Sequence, residues 1–328
     1  MATPKLYYIG VGLIISSLII LFSSCYITKK YTPNLIVNKS NFKISIVKKL
    51  LSQGIWNSLN NLGNMLNSGL DLLVTNIMLG SVAMGQVSVV KTMTSIFSCI
   101  YVIINQPFQP SLLKDYASYN IEKLIKDLKT SVVYSGFFSN LFFACIVGYG
   151  FEYYKLWVLS QDCGLLYKLT IIATATSILE GAVYPLYYIY TLTVKNKIPC
   201  IITIVGGIIN VIGMCILIPY FQNGIFIVFL TTASIMLVIN GITNPIYMAR
   251  CLKINVMSFY PILFKHLISC LLMTVSIKYL SNKVIIDSWT IFIAWSVFCF
   301  LLGFCIHVLI MSPTESLNKL KNLPKFFR

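Results

Sequence analysis

Long apolar runs, each broken by a short polar or charged stretch, fill most of the chain. A hydrocarbon core about 30 Å thick needs about 20 mainly apolar residues in one helix. With that window, nine spans are expected: Tyr7–Tyr26, Leu50–Leu79, Ser81–Leu113, Thr130–Gly148, Leu165–Leu192, Ile198–Pro219, Gly224–Met248, Phe259–Ile277 and Ser288–Met311. The breaks carry turn and stop punctuation, such as Lys29-Lys30, Leu79-Gly80-Ser81, Lys195-Asn196-Lys197, Pro219 to Asn223 and Ser281-Asn282-Lys283. The runs are about twice the length of a barrel strand, which excludes a β-barrel. The expected fold is all-α: a polytopic membrane helix bundle of about nine transmembrane helices. The second, third and fifth spans are long and polar enough to tilt or kink, with Pro185 the expected kink in the fifth.

Polar residues inside those three spans recur at helical spacing. In Leu50–Leu79, Gln53, Asn57, Asn61, Asn64, Ser68 and Asp71 fall within a stripe about 80° wide, flanked by Asn60 and Asn67. Ser81–Leu113 aligns Lys91, Ser95, Ser98, Asn105 and Gln109. Leu165–Leu192 aligns Thr170, Ser177, Tyr184, Tyr188 and Thr191, with Glu180 at the edge. A single Ser or Thr is expected to be interhelical glue, at about 0.6 kcal/mol. A continuous row of amides needs water or protein in front of it, so the three faces are expected to share a hydrated cavity. Its expected lining is Gln53, Asn57, Asn61, Asn64, Asp71, Lys91, Ser95, Ser98, Asn105, Tyr184 and Tyr188.

Charges at membrane depth are costly, about 2.5–3.5 kcal/mol each on insertion scales, and so carry information. Asp71 lies nine residues before Gly80 and Lys91 eleven after it. In a tight hairpin both would sit about 14–17 Å from the turn, close enough for an ion pair. Glu180, with no base nearby in the sequence, is expected to be either a protonatable coupling site or a neutral buried acid donating one hydrogen bond. Lys168 and Lys265 lie near span ends and are expected to snorkel. Gly206-Gly207, Asn210 and Gly213 have the spacing of a close helix–helix contact.

Composition narrows the class. The chain has 328 residues, 57% of them apolar, with a mean hydropathy of +0.82. Only 10% are charged, against about 25% in an ordinary soluble domain. Neither a soluble surface nor disorder fits these values. The formal charge is nonetheless +16, which alone would point to nucleic acid. Its placement points elsewhere. Taking the side after the first span as inside, 18 of the 25 bases fall in inside segments, 4 outside and 3 within spans. That asymmetry predicts an outside N-terminus and a cytoplasmic C-terminus, with no nucleic-acid partner. Asn41–Lys49 and Glu315–Phe327 mix Lys with apolar residues and are expected to lie on the inner membrane surface. Of the basic residues 23 are Lys, the usage of an A+T-rich bacterial gene.

Sites for covalent chemistry are not expected. The ten cysteines show no C-x-x-C or paired spacing, and only Cys163 falls in an outside loop, so neither disulfides nor a zinc site follow. His266 and His307 lie in different spans without a matching ligand cluster. No hydrolase triad, phosphate loop or metal motif is present, and no cofactor or enzymatic activity is expected. An odd number of spans with the N-terminus outside is unusual. Tyr7–Tyr26, followed by Lys29-Lys30, is wrongly flanked for a cleaved signal, and it reads as a span that once had others before it.

Several ordered segments resemble the bacterial polysaccharide flippases, the O-antigen and capsule-unit exporters of the multidrug/oligosaccharidyl-lipid/polysaccharide transporter superfamily. Lys48-Lys49-Leu50-Leu51-Ser52-Gln53-Gly54-Ile55-Trp56 resembles the opening of that family's second lobe. Asp71-Leu72-Leu73-Val74, Leu79-Gly80, Gly85-Gln86-Val87-Ser88 and Gln106-Pro107-Phe108-Gln109-Pro110-Ser111-Leu112 follow, then Tyr116-Ala117 and Glu122-Lys123-Leu124. Lys195-Asn196-Lys197, Gly206-Gly207-Ile208-Ile209-Asn210 and Asn223-Gly224-Ile225 complete the pattern, which covers most of Lys48–Met248.

The resemblance implies two six-helix lobes around a central cavity and alternating access. In that register, 1–27 holds the last helix of the first lobe and 28–49 a basic cytoplasmic linker. Residues 50–249 form the second lobe, 250–311 two additional spans, and 312–328 a basic tail. About five first-lobe helices are then absent, apparently most of the N-terminal lobe. In drug-exporting relatives, acids on the first and fourth helices of the second lobe help bind the coupling cation, and Asp71 and Glu180 stand on those helices. The implied function is translocation of a lipid-linked oligosaccharide, an O-antigen or capsule repeat unit, across the bacterial inner membrane. The implied partners are a polyprenyl-diphosphate-linked oligosaccharide, membrane lipids, and a missing first lobe or other polysaccharide-assembly proteins. Lys91 would be a diphosphate contact. A multidrug exporter of the same fold, or a membrane polysaccharide polymerase or acyltransferase, are the alternatives. The short outside loops, without Arg, weigh against the enzymes.

Overall fold

The computed structural model describes residues 7–32, 43–158 and 161–311, apart from the side chains of residues 7–9, 49, 50, 52, 53, 57 and 68. The tail 312–328, with the expected surface segment Glu315–Phe327, and residues 33–42 of the linker therefore lie outside the described residues. All regular structure among the described residues is helical. Eight helices among the described residues are long and apolar enough to cross a membrane, and each overlaps one expected span. The chain is a multi-pass membrane protein.

The remaining expected span, Leu50–Leu79, is also helical, but its amides leave it short of the apolarity of the other eight. It runs as α2 (Ile44–Asn64), a π-helical turn (Met65–Gly69) and α3 (Asp71–Leu79). The chain divides into two compact units, Met1–Gly54 and Ile55–Arg328. The first contains α1 (Tyr7–Tyr31), whose last turn carries Lys29 and Lys30, where positive charge complements the exposed carbonyls of a helix C-terminus.

In the second unit, α3 turns into α4 (Ser81–Asn105) at Gly80, whose φ of 88° suits a residue without a Cβ. Pro107 and Pro110 impose a 3-10 turn before α5 (Gln109–Ala117). Then comes α6 (Ile121–Trp157), capped by Asn120 through the Lys123 amide and broken from helical geometry at Tyr149. Lys123 also reaches back to Asp115 at 2.5 Å, joining α5 to α6. The fifth span comprises α7 (Cys163–Ala175), α8 (Ser177–Val183), a 3-10 turn (Tyr184–Tyr187) at the expected Pro185 kink, and α9 (Tyr188–Thr193). The sixth is α10 (Lys197–Leu217). The seventh is α11 (Gly224–Val238), a second π turn (Ile239–Thr243) and α12 (Asn244–Cys251). The last two are α13 (Tyr260–Ser281) and α14 (Trp289–Met311).

Burial is inverted relative to a soluble protein. Asn67, Asn105, Asn140, Asn210, Asn240 and Asn244 are buried, while Ile201, Val205, Ile208, Ile212 and Ile216 of α10 are exposed. Such an apolar outer face is what lipid requires. The long helix α6 packs against α13, α14, α7 and α8. Part of that contact is a paired histidine network. His266 Nε2 donates to the Ile178 carbonyl at 2.8 Å, and its Nδ1 accepts from Asn140 Nδ2 at 3.1 Å. His307 Nε2 donates to the Val133 carbonyl at 3.0 Å, and its Nδ1 accepts from Ser269 at 2.8 Å. Each pattern assigns a neutral Nε2–H ring, so both histidines fasten the two final spans to the bundle. Among the described residues no cluster of metal-ligating side chains forms.

Candidate functional site: a polar cavity inside the helix bundle

A cavity of about 840 Å³ lies within the second unit, walled by α2 to α4, by α7 to α9, and by α10 to α12. The three expected polar faces do meet there. Asn64, Asp71, Lys91, Ser95, Ser98, Tyr184 and Tyr188 line it, as does Glu180. The side chains of Gln53, Asn57 and Ser68 fall outside the described residues.

Two expected lining residues are corrected. Asn105 is fully buried away from the cavity, where its amide donates to the Tyr101 carbonyl at 2.8 Å and to Ser135 Oγ of α6 at 2.9 Å. It is helix–helix glue. Asn61 is exposed and off the lining, and its neighbour Asn60 faces the cavity instead. A helical wheel over 19 residues accumulates angular error, and the π turn at Met65–Gly69 adds a further phase shift. Asn67, expected beside the stripe, lies within that turn and faces α10. Its amide donates to the Thr203 carbonyl of α10 at 2.7 Å and is shared with Gly63 at 3.0 Å.

Close packing between the π turn and α10 depends on small residues. A Cβ on Gly207 would lie 2.5 Å from Leu66 Cβ and 3.0 Å from the Gly63 carbonyl oxygen. Asn210 completes the seam by donating to the Asn67 carbonyl at 2.8 Å and to Thr232 at 3.0 Å. At Gly213 the nearest atom to a built Cβ is Thr231 Cγ2 at 3.7 Å, an ordinary contact. The expected small-residue seam therefore stops at Asn210.

The Asp71–Lys91 pair forms as the hairpin geometry predicts, with Lys91 Nζ 2.6 Å from Asp71 Oδ2. Asp71 is 2% exposed and Lys91 19%, so the pair looks into the cavity from the Lys91 side. Glu180 stands on the opposite helix pair, one turn before Tyr184 and two before Tyr187, so the three share a face. It is half-buried, and among the described residues no hydrogen bond or ion pair engages its carboxylate.

Several lining residues lay outside the three sequence stripes. Thr94, Tyr187, Tyr190, Asn196, Thr203, Phe229, Thr232 and Asn244 all face the cavity. Tyr187 donates to Asn240 Oδ1 at 2.6 Å, and Asn244 Nδ2 donates to the Tyr187 oxygen at 2.9 Å. Tyr190 donates to Asn244 Oδ1 at 2.9 Å. This network surrounds the second π turn, where the loosened backbone places Asn240 and Asn244 against the fifth span. Spacing by eight and then four in Thr232, Asn240 and Asn244, and by three and then four in Asn196, Pro199 and Thr203, is the sequence signal for these walls. It is diluted by the apolar residues around it.

Chemically, the cavity offers hydroxyls, amides and phenols, with three charged groups among its described lining residues: Asp71, Lys91 and Glu180. It is suited to hold and orient a polar ligand.

No family model and no solved structure gives a significant match to the chain. Among curated proteins, it is 25% identical over 300 residues to a Bacillus subtilis (strain 168) protein named uncharacterized membrane protein EpsK. The match covers 90% of this chain and 59% of that relative, so the chain spans about three-fifths of the relative's length.

Proposed function

We propose that this chain forms the substrate-holding lobe of a transporter that moves a lipid-linked oligosaccharide across the bacterial cytoplasmic membrane, with its C-terminus in the cytoplasm. The supporting observation is the cavity itself. About 840 Å³ of polar-lined space inside a lipid-facing bundle lies within the range of small-ligand sites, about 300–1,000 Å³. Amides and hydroxyls from five spans point at that space, and hydroxyl-rich sugars need such partners once they leave water. The polyprenyl tail would stay in lipid, outside the bundle. Translocation needs no covalent step, so the chain acts here as a transporter rather than an enzyme.

The charged groups divide the work. Lys91, anchored by Asp71, is the cationic group within reach of a diphosphate. Asp71 is committed to that pair, so the role of taking up a coupling proton or ion falls to Glu180. A first lobe, on another chain or on a longer form of this one, supplies the surface against which this lobe rocks. The phenol-lined wall beside Glu180 favours one second reading, a cation-coupled exporter of aromatic drugs.

The test is genetic. Deleting the gene in its host should accumulate lipid-linked repeat units at the cytoplasmic face and deplete surface glycan, and the native gene should restore it. Glu180→Ala and Asp71→Ala should each reduce that rescue at least tenfold at equal protein level. Unchanged rescue by both variants would sink the assignment of this cavity.

A further inference from the structure

The cavity's polar groups differ in what they leave for a ligand. Asp71 and Lys91 are paired through Asp71 Oδ2, which neutralises both charges. The hydroxyls of Tyr187 and Tyr190 are bound within the Asn240–Asn244 network, and Tyr188 donates to the Asn105 carbonyl at 3.3 Å. Of the carboxylates and phenols lining the cavity, Glu180 and Tyr184 are the two without a hydrogen-bonding partner among the described residues. They sit one helical turn apart on the same face.

Aromatic rings enclose that spot. The Tyr101 and Tyr184 ring centroids are 6.1 Å apart with planes at 44°, and Tyr184 and Tyr187 are 6.1 Å apart at 80°. Tyr184 and Tyr187 follow Glu180 by one and two turns on its own face. Tyr101 is held by donating to the Ser177 carbonyl at 2.9 Å. A carboxylate that shares the cavity wall with the phenol rings of Tyr184, Tyr187 and Tyr188 favours an ammonium group. The charge count agrees. With the Asp71–Lys91 pair internally neutral, an ionised Glu180 leaves the described lining one positive charge short.

We infer that Glu180 and Tyr184 form a subsite for a protonated primary amine on the translocated glycan, an amino sugar whose nitrogen is not acylated. The inference rests on the oligosaccharide reading above and adds to it a chemical class of substrate. The ammonium donates to a Glu180 oxygen and to the Tyr184 phenol oxygen, and its charge lies among the tyrosine rings. N-acetylation would remove that charge and leave Glu180 uncompensated.

Two probes that differ at one group provide the test. The full chain is reconstituted in phosphatidylcholine nanodiscs and titrated at pH 7 with short polyprenyl-diphosphate glucosamine and with its N-acetyl counterpart. The amine probe should bind about tenfold more tightly, one charge-assisted contact's worth of affinity. Glu180→Gln should bring the ratio of the two affinities close to one. Tyr184→Phe, which removes one oxygen and keeps the ring, should reduce the ratio several-fold, and it decides the matter should Glu180→Gln fail to fold. Equal binding of the two probes by the native chain would overturn the amine subsite and leave the oligosaccharide reading standing. Failure of both probes to bind would overturn both. Tighter binding of tetraphenylphosphonium than of the amine probe would also overturn it, in favour of the exporter.

Discussion

At the scale of single residues, the membrane makes unpaired charge expensive, and the cavity shows both responses to that cost. Asp71 and Lys91 neutralise each other's charge, whereas Glu180 faces open space. Removing one member of a buried pair strands the other, at a cost of about 3–5 kcal/mol, and the partial exposure of Lys91 puts this pair at the low end. Asp71→Asn and Lys91→Met should therefore each destabilise the detergent-solubilised protein by about 3 kcal/mol. The double variant should cost less than the sum of the singles, and thermal unfolding of all four proteins checks the coupling. Strict additivity would mean the pair contributes nothing. This contact was legible in the sequence because it depends only on helix rise and one glycine turn. The role of Asn105 was not, because its amide turns toward Ser135, a residue thirty positions away on a different helix.

At the scale of elements, the π turns explain what sequence periodicity could and could not reveal. The stripe in the second span is drawn on a wheel with constant pitch; Asn61 departs from it, but Asn64 and Asp71 both line the cavity. Between them the turn at Met65–Gly69 rotates Asn67 into α10. The second π turn brings Asn240 and Asn244 to Tyr187 and Tyr190, a meeting that no local pattern encodes. The α10 seam yields a sharp contrast along one helix. Gly207→Ala would force a Cβ into Leu66, an overpacking that costs about 1–3 kcal/mol. Gly213→Ala meets only ordinary contact and should change stability by less than about 0.5 kcal/mol. Equal melting temperatures for the two variants would show that the seam is looser than the Gly207 approach implies. A related variant tests the second network. Asn244→Ala leaves the Tyr190 hydroxyl without its acceptor, while Tyr187 keeps Asn240, and a buried unsatisfied group costs about 1–3 kcal/mol. Its unfolding midpoint should fall accordingly.

At the scale of the whole molecule, lipid-facing apolar surface and a polar interior were both readable from span length and from the three polar faces. The identity of the remaining walls was not, because α10, α11 and α12 contribute isolated polar residues to mostly apolar helices. The distribution of lysines makes a prediction about orientation that the helices alone do not. Alkaline phosphatase fused after Asn282 should be active, and the same enzyme fused after Lys253 should not. The reverse result would invert every cytoplasmic assignment made here.

The α3–α4 hairpin has a bearing on how the molecule is made. Its first arm is the end of the second span, which runs from α2 through α3, carries the amide row and Asp71, and falls short of the apolarity that lets the other spans enter lipid unaided. Its second arm is strongly apolar but carries Lys91. Joined through Gly80 and neutralised across the turn, the two arms enter the bilayer most cheaply as one electrically neutral insertion unit, the apolar arm carrying the polar one. Truncating the nascent chain just before Ser81 should accordingly leave the first arm uninserted in a translocation assay, and extending it past Asn105 should restore insertion.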